Sequence, residues 1–321
     1  MTVSRSDHHF SMAPLQGFTD FAFRKVFHEV IGGIENYYIP YISVGPGHAI
    51  RNSALRDILP ENNQAIPVIP QILCGNRQEL IFLADRLVDA GYSMLNLNLG
   101  CPYPMAVKRG RGTGLLENTP ALTEILDTLF SHYSFNVSIK FRAGITDSNV
   151  ILRQIQLLKK YPFQTYIFHP RTAIQLYKGT ADPLLFRQLT GESRQKMVYN
   201  GDLLDRPDFI RLTKLLPDQS QWMVGRGLLK NIFLLEELSG HPSSPSYQQE
   251  KLLYFHEQLL HTYQQSLTDP GHVLNKMKEF WIYFSSHFSD QHKVLKLVKK
   301  IRNQSDYPPI ILEIFRNFLI I

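Results

Sequence analysis

The stretch MLNLNLGCP, residues 94–102, joins a short β-like run to a Gly-Cys-Pro turn. Short apolar runs of this kind recur along the chain. Amphipathic segments with helical spacing lie between most of them, for example at 79–90, 120–133 and 149–161. The pattern predicts alternating strands and helices. The eight candidate strands are 10–14, 37–42, 68–73, 94–98, 137–141, 165–168, 197–199 and 222–224.

Eight strand–helix units are what a (β/α)8 barrel, the TIM barrel, requires. An open doubly wound sheet also alternates strands with helices, so both α/β architectures stay open on the count alone. The less regular segment 45–67 predicts an insertion after the second strand, and the break at 239–246 predicts a linker before a helical region. We therefore predict a barrel catalytic domain over residues 1–240 and a small all-helical domain over residues 241–321.

The composition is that of an ordinary soluble protein. Of 321 residues, 44% are apolar and 19% are charged, with a formal net charge of +6 and a pI near 9.1. This basic excess is compatible with a polyanionic partner but does not require one. The two cysteines, Cys74 and Cys101, argue against a disulfide scaffold and against a zinc site. Without a signal-peptide pattern or a long apolar run, we expect a cytoplasmic monomer that binds no membrane and no metal.

The functional groups of such a barrel belong at the C-terminal ends of its strands and in the loops that follow. Polar or special residues stand at seven of these ends. They are Pro14, Leu15 and Gln16; Gln71; Asn98; Lys140 and Arg142; His169, Arg171 and Thr172; Asn200, Gly201 and Asp202; and Gly225 and Arg226. Each has an ordinary structural explanation by itself, but their joint placement is hard to obtain by chance.

The loops after the seventh and eighth predicted strands have a more specific interpretation. Gly201 and Gly225 allow close backbone approach, so that main-chain N–H groups can point at a bound anion. Arg226 adds a fork-shaped donor for phosphate oxygens. Phosphate sites recur at this place in the fold. The loops predict a phosphate-bearing cofactor or substrate, with two ordinary glycine turns as the alternative.

Cys101 is the sharpest candidate for a reactive group. It stands between a glycine and a proline immediately past a predicted strand end, whereas Cys74 is expected to be a buried apolar residue. A free thiol is mostly protonated at neutral pH, so it can act as a general acid as well as a nucleophile. A basic, glycine-rich loop follows, and its Lys108, Arg109 and Arg111 suit contact with phosphates.

Eight motifs stand between residues 13 and 227. They are APLQGFTD at 13–20, NLNLGCP at 96–102, GTGLL at 112–116, SIKFR at 138–142, HPRT at 169–172, YKGTAD at 177–182, NGD at 200–202 and GRG at 225–227. In this order and spacing the chain resembles the tRNA-dihydrouridine synthase (Dus) family. One departure is Met105, where many members have a lysine.

The resemblance implies an enzyme that binds FMN at the barrel mouth and reduces uridine in tRNA to dihydrouridine. NADPH reduces the FMN, hydride passes from flavin N5 to C6 of the flipped uracil, and Cys101 protonates C5. The residues expected around FMN are Pro14, Leu15, Gln16, Gln71, Lys140, His169, Asn200, Gly201, Asp202, Gly225 and Arg226. Asn98 is expected at the uracil edge, and the candidates for RNA contact are Arg142, Arg171, Thr172, Tyr177 and Lys178.

The C-terminal region, from residue 272 to about 303, is similar to the DusC branch of bacterial enzymes, which acts on uridine 16 in the D-loop. Its lysines are therefore candidates for phosphate contact as well as for a solvated helix face. They are Lys276, Lys278, Lys293, Lys296 and Lys300. Two alternative functions stay open: an FMN barrel that reduces a free small molecule, and a non-catalytic RNA-binding barrel.

Overall fold

The computed structural model describes residues 8–192 and 195–320. Residues 1–7, 193–194 and 321 therefore lie outside the described residues. They include the start of the N-terminal stretch in which the sequence shows no signal-peptide pattern. Within the described ranges the strands form one parallel sheet. They are β1 His9–Met12, β2 Asn36–Tyr38, β3 Val68–Ile69, β4 Gln71–Ile72, β5 Met94–Leu99, β6 Asn136–Gly144, β7 Thr165–Thr172, β8 Lys196–Tyr199 and β9 Gln221–Val224.

The sheet closes into a barrel. β1 pairs with both β2 and β9, while β3 pairs with β2 and β4 pairs with β5. Only Pro70 separates β3 from β4, and proline has no N–H to donate to a neighbouring strand. The two short strands are therefore one interrupted side of an eight-sided barrel, where the sequence predicts a single strand over 68–73. The predicted fold class, a (β/α)8 barrel followed by a helical region, is confirmed.

Helices surround this barrel. Several begin at a side chain that accepts a hydrogen bond from a first-turn N–H, as Asp20, Asn76, Asn118 and Asp205 do. The helices up to the predicted linker are α1 Phe21–Val30, α2 Asn52–Ile58, α3 Arg77–Asp89, α4 Pro104–Lys108, α5 Thr113–Leu116, α6 Thr119–His132, α7 Val150–Leu158, α8 Pro183–Glu192, α9 Arg206–Leu215, α10 Arg226–Lys230 and α11 Leu234–Leu238. The predicted insertion at 45–67 contains α2 and two short 3₁₀ turns.

Two apolar layers hold the barrel together. A small cluster fills its interior, and a much larger one packs the outer strand faces against the helices. The interior cluster consists of Ala13, Tyr38, Ile69, Ile167, Val198 and Met223. Because the interior is filled by side chains, a ligand can enter only at an end of the barrel.

Four further helices follow the predicted linker: α12 Pro245–Ser266, α13 Pro270–Phe284, α14 Gln291–Lys300 and α15 Tyr307–Asn317. They pack on the barrel through α1, where the rings of Phe23 and Phe280 stack at 5.4 Å. Tyr263 donates its hydroxyl hydrogen to Asp20 at 2.7 Å. The division at residue 240 and a tRNA-binding role for the helical region stay predictions. No helix among the described residues is long and apolar enough to cross a membrane.

Candidate active site

A cavity of about 630 Å³ opens at the carboxyl ends of the barrel strands. Sites for small molecules and cofactors commonly have this size. Every residue predicted to bind the cofactor lines it, and so do four residues predicted to act on the substrate. The first set is Pro14, Leu15, Gln16, Gln71, Lys140, His169, Asn200, Gly201, Asp202, Gly225 and Arg226, and the second is Asn98, Cys101, Arg142 and Tyr177.

A chain of side-chain hydrogen bonds runs along the strand ends toward the predicted proton donor. Asn96 Nδ2 donates to Ser138 Oγ at 2.8 Å. Gln71 Nε2 donates to Asn96 Oδ1 at 2.7 Å, and Asn98 Nδ2 donates to Gln71 Oε1 at 2.7 Å. Asn98 Oδ1 accepts from the N–H of Cys101 at 2.8 Å. These bonds orient Asn98 and leave one of its amide hydrogens for a ligand, because the amide nitrogen carries two.

The turn that carries Cys101 is held from a second side. The Cys101 carbonyl accepts hydrogen bonds from Thr113 N at 3.3 Å and Thr113 Oγ1 at 3.1 Å. Gly112, at φ 60°, lies so close that a Cβ there would be 2.7 Å from the Cys101 Cβ. Cys101 itself is 7% exposed and lines the cavity. Its backbone is therefore fixed, with the thiol at the cavity wall.

The end of the neighbouring strand β6, which pairs with β5 so that Lys140 lies beside Asn98, carries a concentration of positive charge. Burial, and then Arg142, lower the pKa of Lys140 to about 7, against an opposing effect of Cys101. Burial, and then Arg142, also lower the pKa of His169 well below its ordinary value. Neither a hydrogen bond nor an ion pair joins the Lys140 ammonium to another described residue. A cationic group without a partner fits an anionic or electron-rich ligand in the cavity.

The lowered pKa of Lys140 predicts a pH-dependent stability. The pKa is about 7 in the folded protein and 10.5 in an ordinary lysine. The loss of folding free energy caused by burying the charged ammonium is therefore complete below about pH 7, and it fades as the pH rises from 7 to 10.5. Lys140→Met should therefore stabilise the cofactor-free protein by about 1–3 kcal/mol near pH 6. This range is smaller than the full pKa shift would give, because the Lys140 side chain is partly exposed and solvent screens its charge. The gain should be nearly lost by about pH 10. Urea unfolding across this pH range tests it, and a gain that does not change with pH would contradict it.

Arg171 is buried behind the cavity wall. It is 2% exposed, and its Nη1 donates to His169 Nε2 at 3.2 Å. Its Nη2 donates to Gly179 O at 2.6 Å and to Asp202 Oδ2 at 2.5 Å. Since Nε2 of His169 accepts, the proton of the neutral ring lies on Nδ1. Burial and these bonds hold Arg171 against His169 and Asp202, and its contact with RNA stays a prediction.

Thr172 is also buried and hydrogen-bonded within the protein. It is 7% exposed, and both its N–H and its Oγ1 donate to Gln175 Oε1, at 2.7 and 3.1 Å. The residue lies at the end of β7, which extends beyond the predicted strand 165–168. The contact of Thr172 with RNA likewise stays a prediction.

The predicted phosphate loops meet at Asp202. Its Oδ2 accepts from Arg171 and from the N–H of Ala181, the latter at 2.8 Å, and its Oδ1 accepts from Arg226 Nη2 at 3.3 Å. A carboxylate repels phosphate, so Asp202 serves this site by holding Arg226 in place. A Cβ on Gly201 would lie 2.7 Å from the Cβ of Ala181. A side chain at position 201 would therefore collide with Ala181, and the expected approach of this glycine to a bound anion stays a prediction.

Three basic residues predicted to contact phosphates are engaged within the protein. Lys276 pairs with Asp20 at 3.0 Å. Lys278 Nζ donates to the carbonyls of residues 299 and 301, at 3.0 and 2.8 Å. Arg111, 8% exposed, donates through Nε to Glu79 at 2.9 Å. Each of these three charges joins two elements of the protein in this structure, and their contacts with RNA or phosphate stay predictions.

Of the remaining candidates for RNA contact, Arg142 lines the cavity but is 3% exposed and donates through Nη1 to Thr172 O at 2.9 Å, whereas the others are accessible. Tyr177 is 50% exposed at the cavity mouth, where the guanidinium of Arg226 lies 4.3 Å from its ring centroid and that of Arg142 lies 5.7 Å away. The others are exposed lysines and an arginine. They are Lys108, Arg109, Lys178, Lys293, Lys296 and Lys300.

Comparison with known proteins identifies the family. The family model described as "Dihydrouridine synthase (Dus)" matches residues 11–308. The chain belongs to this family. Among curated relatives, "Probable tRNA-dihydrouridine synthase 2" of Bacillus subtilis (strain 168) is 24% identical over 234 residues, 71% of each chain. "tRNA-dihydrouridine synthase B" of Pseudomonas aeruginosa is 24% identical and covers 78% of this chain and 77% of the relative. "tRNA-dihydrouridine(16) synthase" of Ralstonia nicotianae is 23% identical and covers 71% and 72%.

Solved structures agree with the architecture. Morphinone reductase superposes with a TM-score of 0.53 at 10% identity, covering 74% of this chain and 87% of that chain. At this identity the likeness bears on the fold alone. The resemblance to the dihydrouridine synthase family is thus confirmed by the family model, and the barrel is confirmed by the structure.

Several residues of this dihydrouridine synthase family member line the cavity without having been predicted. Phe18, Tyr41, Tyr103 and Tyr283 are the aromatic ones. The strand-end rule could have indicated Tyr41, which lies at the end of the predicted strand 37–42. Tyr283 had no local signal, because it belongs to α13 and reaches the cavity only through the packing of the helical region on the barrel.

Proposed function

We propose that this chain uses bound FMN, reduced by NADPH, to convert a uridine of tRNA to 5,6-dihydrouridine. One observation carries the proposal: Cys101 is fixed at the wall of a cavity that is also lined, from the neighbouring strand β6, by Lys140, whose ammonium has no hydrogen bond or ion pair to another described residue. The arrangement places a proton donor and a cation at one small-molecule site. Family membership and the names of its relatives support tRNA uridine as the substrate.

The cavity residues fit FMN. Lys140 and the Nδ1–H of His169 are donors suited to the electron-rich side of a reduced ring. Pro14, Leu15, Gln16 and Gln71 complete the proposed ring site. The ribityl chain and phosphate are assigned to Asn200, Gly201, Gly225 and Arg226, with Asp202 orienting Arg226. When bound, the flavin supplies the hydride for C6 of uracil from its N5.

The protein supplies the second hydrogen as a proton. The Cys101 thiol gives its proton to C5 of uracil as hydride reaches C6, so two electrons and two hydrogens are added to the ring. Asn98 has one amide hydrogen free for the base, and its oxygen holds the Cys101 turn. Asn98 thus links the position of the uracil base to the position of the Cys101 thiol.

On the RNA side, Tyr177 is half-exposed at the cavity mouth with Lys178 exposed next to it, and the buried Arg142 lies under the Tyr177 ring. The uridine must leave the base stack to reach a cavity of this depth. We propose that the helical region, residues 241–321, holds the rest of the tRNA and that the target is uridine 16 of the D-loop. The relative named tRNA-dihydrouridine(16) synthase supports this position.

The exposed lysines of α14 give a prediction for the helical region. Charge reversal of Lys296 and Lys300 to glutamate should weaken tRNA binding at least tenfold at low salt, with the loss shrinking as salt rises, because phosphate contacts release counterions. Lys160→Glu with Lys214→Glu is the matched control. These exposed lysines lie near the C-terminal ends of α7 and α9, at the end of the barrel away from the mouth. Filter binding at several salt concentrations measures both pairs, and equal losses would contradict a specific role of α14.

The cofactor and the substrate class can be tested together. Purified protein should be yellow or become so with added FMN, and its NADPH oxidation should require tRNA. Oxidation supported by a free pyrimidine without tRNA would favour the small-molecule alternative. A colourless protein that binds tRNA but takes up no FMN would favour a non-catalytic RNA-binding barrel.

A further inference from the structure

Tyr41 stands in the loop after β2 and lines the cavity. The next residue, Ile42, forms an isolated parallel bridge with Ile72. Its N–H donates to Gln71 O at 2.9 Å, and its carbonyl accepts from Leu73 N at 2.9 Å. The backbone that carries Tyr41 is therefore attached to the same strand that carries Gln71. These bonds fix the backbone position from which the Tyr41 side chain extends into the cavity.

The Tyr41 side chain reaches the proposed proton donor. It packs against a small cluster made of Leu73, Cys101 and Ala106, separate from the main core. Tyr41 and Cys101 both line the cavity, and the Cys101 thiol lies close enough to raise the pKa of the Tyr41 hydroxyl. Because the backbone of Cys101 is already held by Asn98 and Thr113, the direction of the thiol is the main freedom that remains.

The chemistry of this contact follows from its surroundings. Burial, and then Cys101, raise the pKa of Tyr41 to about 12, against a smaller lowering by Arg51 and a further raising by Tyr103. The phenol therefore keeps its proton at neutral pH. Toward a thiolate it can only donate a hydrogen bond. Lys140 and Arg142, on the neighbouring strand β6, also interact electrostatically with Cys101.

We propose that Tyr41 is a positioning residue for Cys101, directing the thiol into the cavity and donating a hydrogen bond to the thiolate that remains after proton transfer. In that step the S–H bond of Cys101 breaks, the C5–H bond of uracil forms, and the thiolate later takes a proton from water. The catalytic part of this inference rests on the proposed function. The contact between the two side chains can be tested independently of it.

The test is the pH profile of Cys101 alkylation by iodoacetamide in the holoenzyme. Tyr41→Phe removes only the hydroxyl, so we expect the midpoint of the alkylation rate to rise by about one pH unit. Tyr166→Phe is the control, because the Tyr166 hydroxyl is buried without a hydrogen-bond partner and lies outside the cavity lining. Its profile should match the wild type. Cys101→Ala gives the background from Cys74, which is fully buried.

Turnover on tRNA supplies the second readout. For Tyr41→Phe we expect kcat to fall about tenfold, with FMN content and KM for tRNA unchanged. An alkylation profile like that of the control overturns the inference. A shifted profile with unchanged kcat also overturns it, because the contact would then not serve the reaction. A wild-type protein that reduces no tRNA but shows the shift between variants would contradict the proposed function while supporting the contact.

Discussion

Replacing Cys101 with alanine should lower the rate of dihydrouridine formation at least a hundredfold and leave cofactor binding intact. A positioned general acid contributes about 10²–10⁴-fold to a rate, and no other described residue of the cavity wall is placed as Cys101 is, in a turn held by both Asn98 and Thr113. Reduction of the bound flavin by NADPH does not use this proton. The variant should therefore accept electrons from NADPH and fail to transfer them to tRNA.

Stopped-flow measurement of the flavin spectrum separates these two half-reactions. The matched control is Cys74→Ala, which removes the other thiol from a fully buried site in the main core. It should cost stability and leave both half-reactions unchanged. If Cys101→Ala oxidised its flavin with tRNA at the wild-type rate, Cys101 would not be the proton donor.

The second large effect is expected at Gly112, behind the Cys101 turn. Gly112→Ala places a Cβ 2.7 Å from both the Cβ and the carbonyl oxygen of Cys101, and φ there is +60°. The backbone of Cys101 must shift to admit the methyl group. Because a misplacement of about 1 Å can cost about a hundredfold in rate, we expect a loss of this size in kcat. Overpacking should also reduce the free energy of unfolding by about 2–4 kcal/mol.

Gly110 offers a control that differs in one respect. It also has a positive φ, +66°, but a Cβ added there meets nothing within 4 Å. Gly110→Ala should thus reduce stability by about 1–2 kcal/mol through backbone strain alone and retain turnover. Equal kcat for the two variants would show that the contact with Cys101 is not what makes Gly112 necessary.

Much of the fold follows from local pattern. All eight predicted strands are present, because short apolar runs between amphipathic helices have few other solutions. The differences are at strand ends. Pro70 splits the third strand, and β6 and β7 run on through Arg142 and Thr172. Polar residues at the ends of the predicted strands therefore indicated which residues line the cavity. They did not indicate the residue at which strand pairing ends.

The charged residues show which contacts the local sequence could not predict. Lys276 pairs with Asp20, 256 positions away, and Arg111 pairs with Glu79, 32 positions away. A basic residue near a motif has the same sequence signature whether it faces RNA or a buried carboxylate. Only the tertiary contacts separate the two cases. Lys296 and Lys300 are exposed on the surface of the same helical region, and their contact with tRNA phosphates stays a prediction that the binding measurement tests.

The most direct test of the account is the product on RNA. Purified protein with FMN and NADPH should be incubated with unmodified tRNA transcripts, and the nucleosides mapped by mass spectrometry. We predict that one uridine, at position 16 of the D-loop, gains two hydrogens, and that Cys101→Ala produces none. Absence of dihydrouridine from every tRNA tested, with FMN bound and NADPH oxidised, would contradict the proposed reaction.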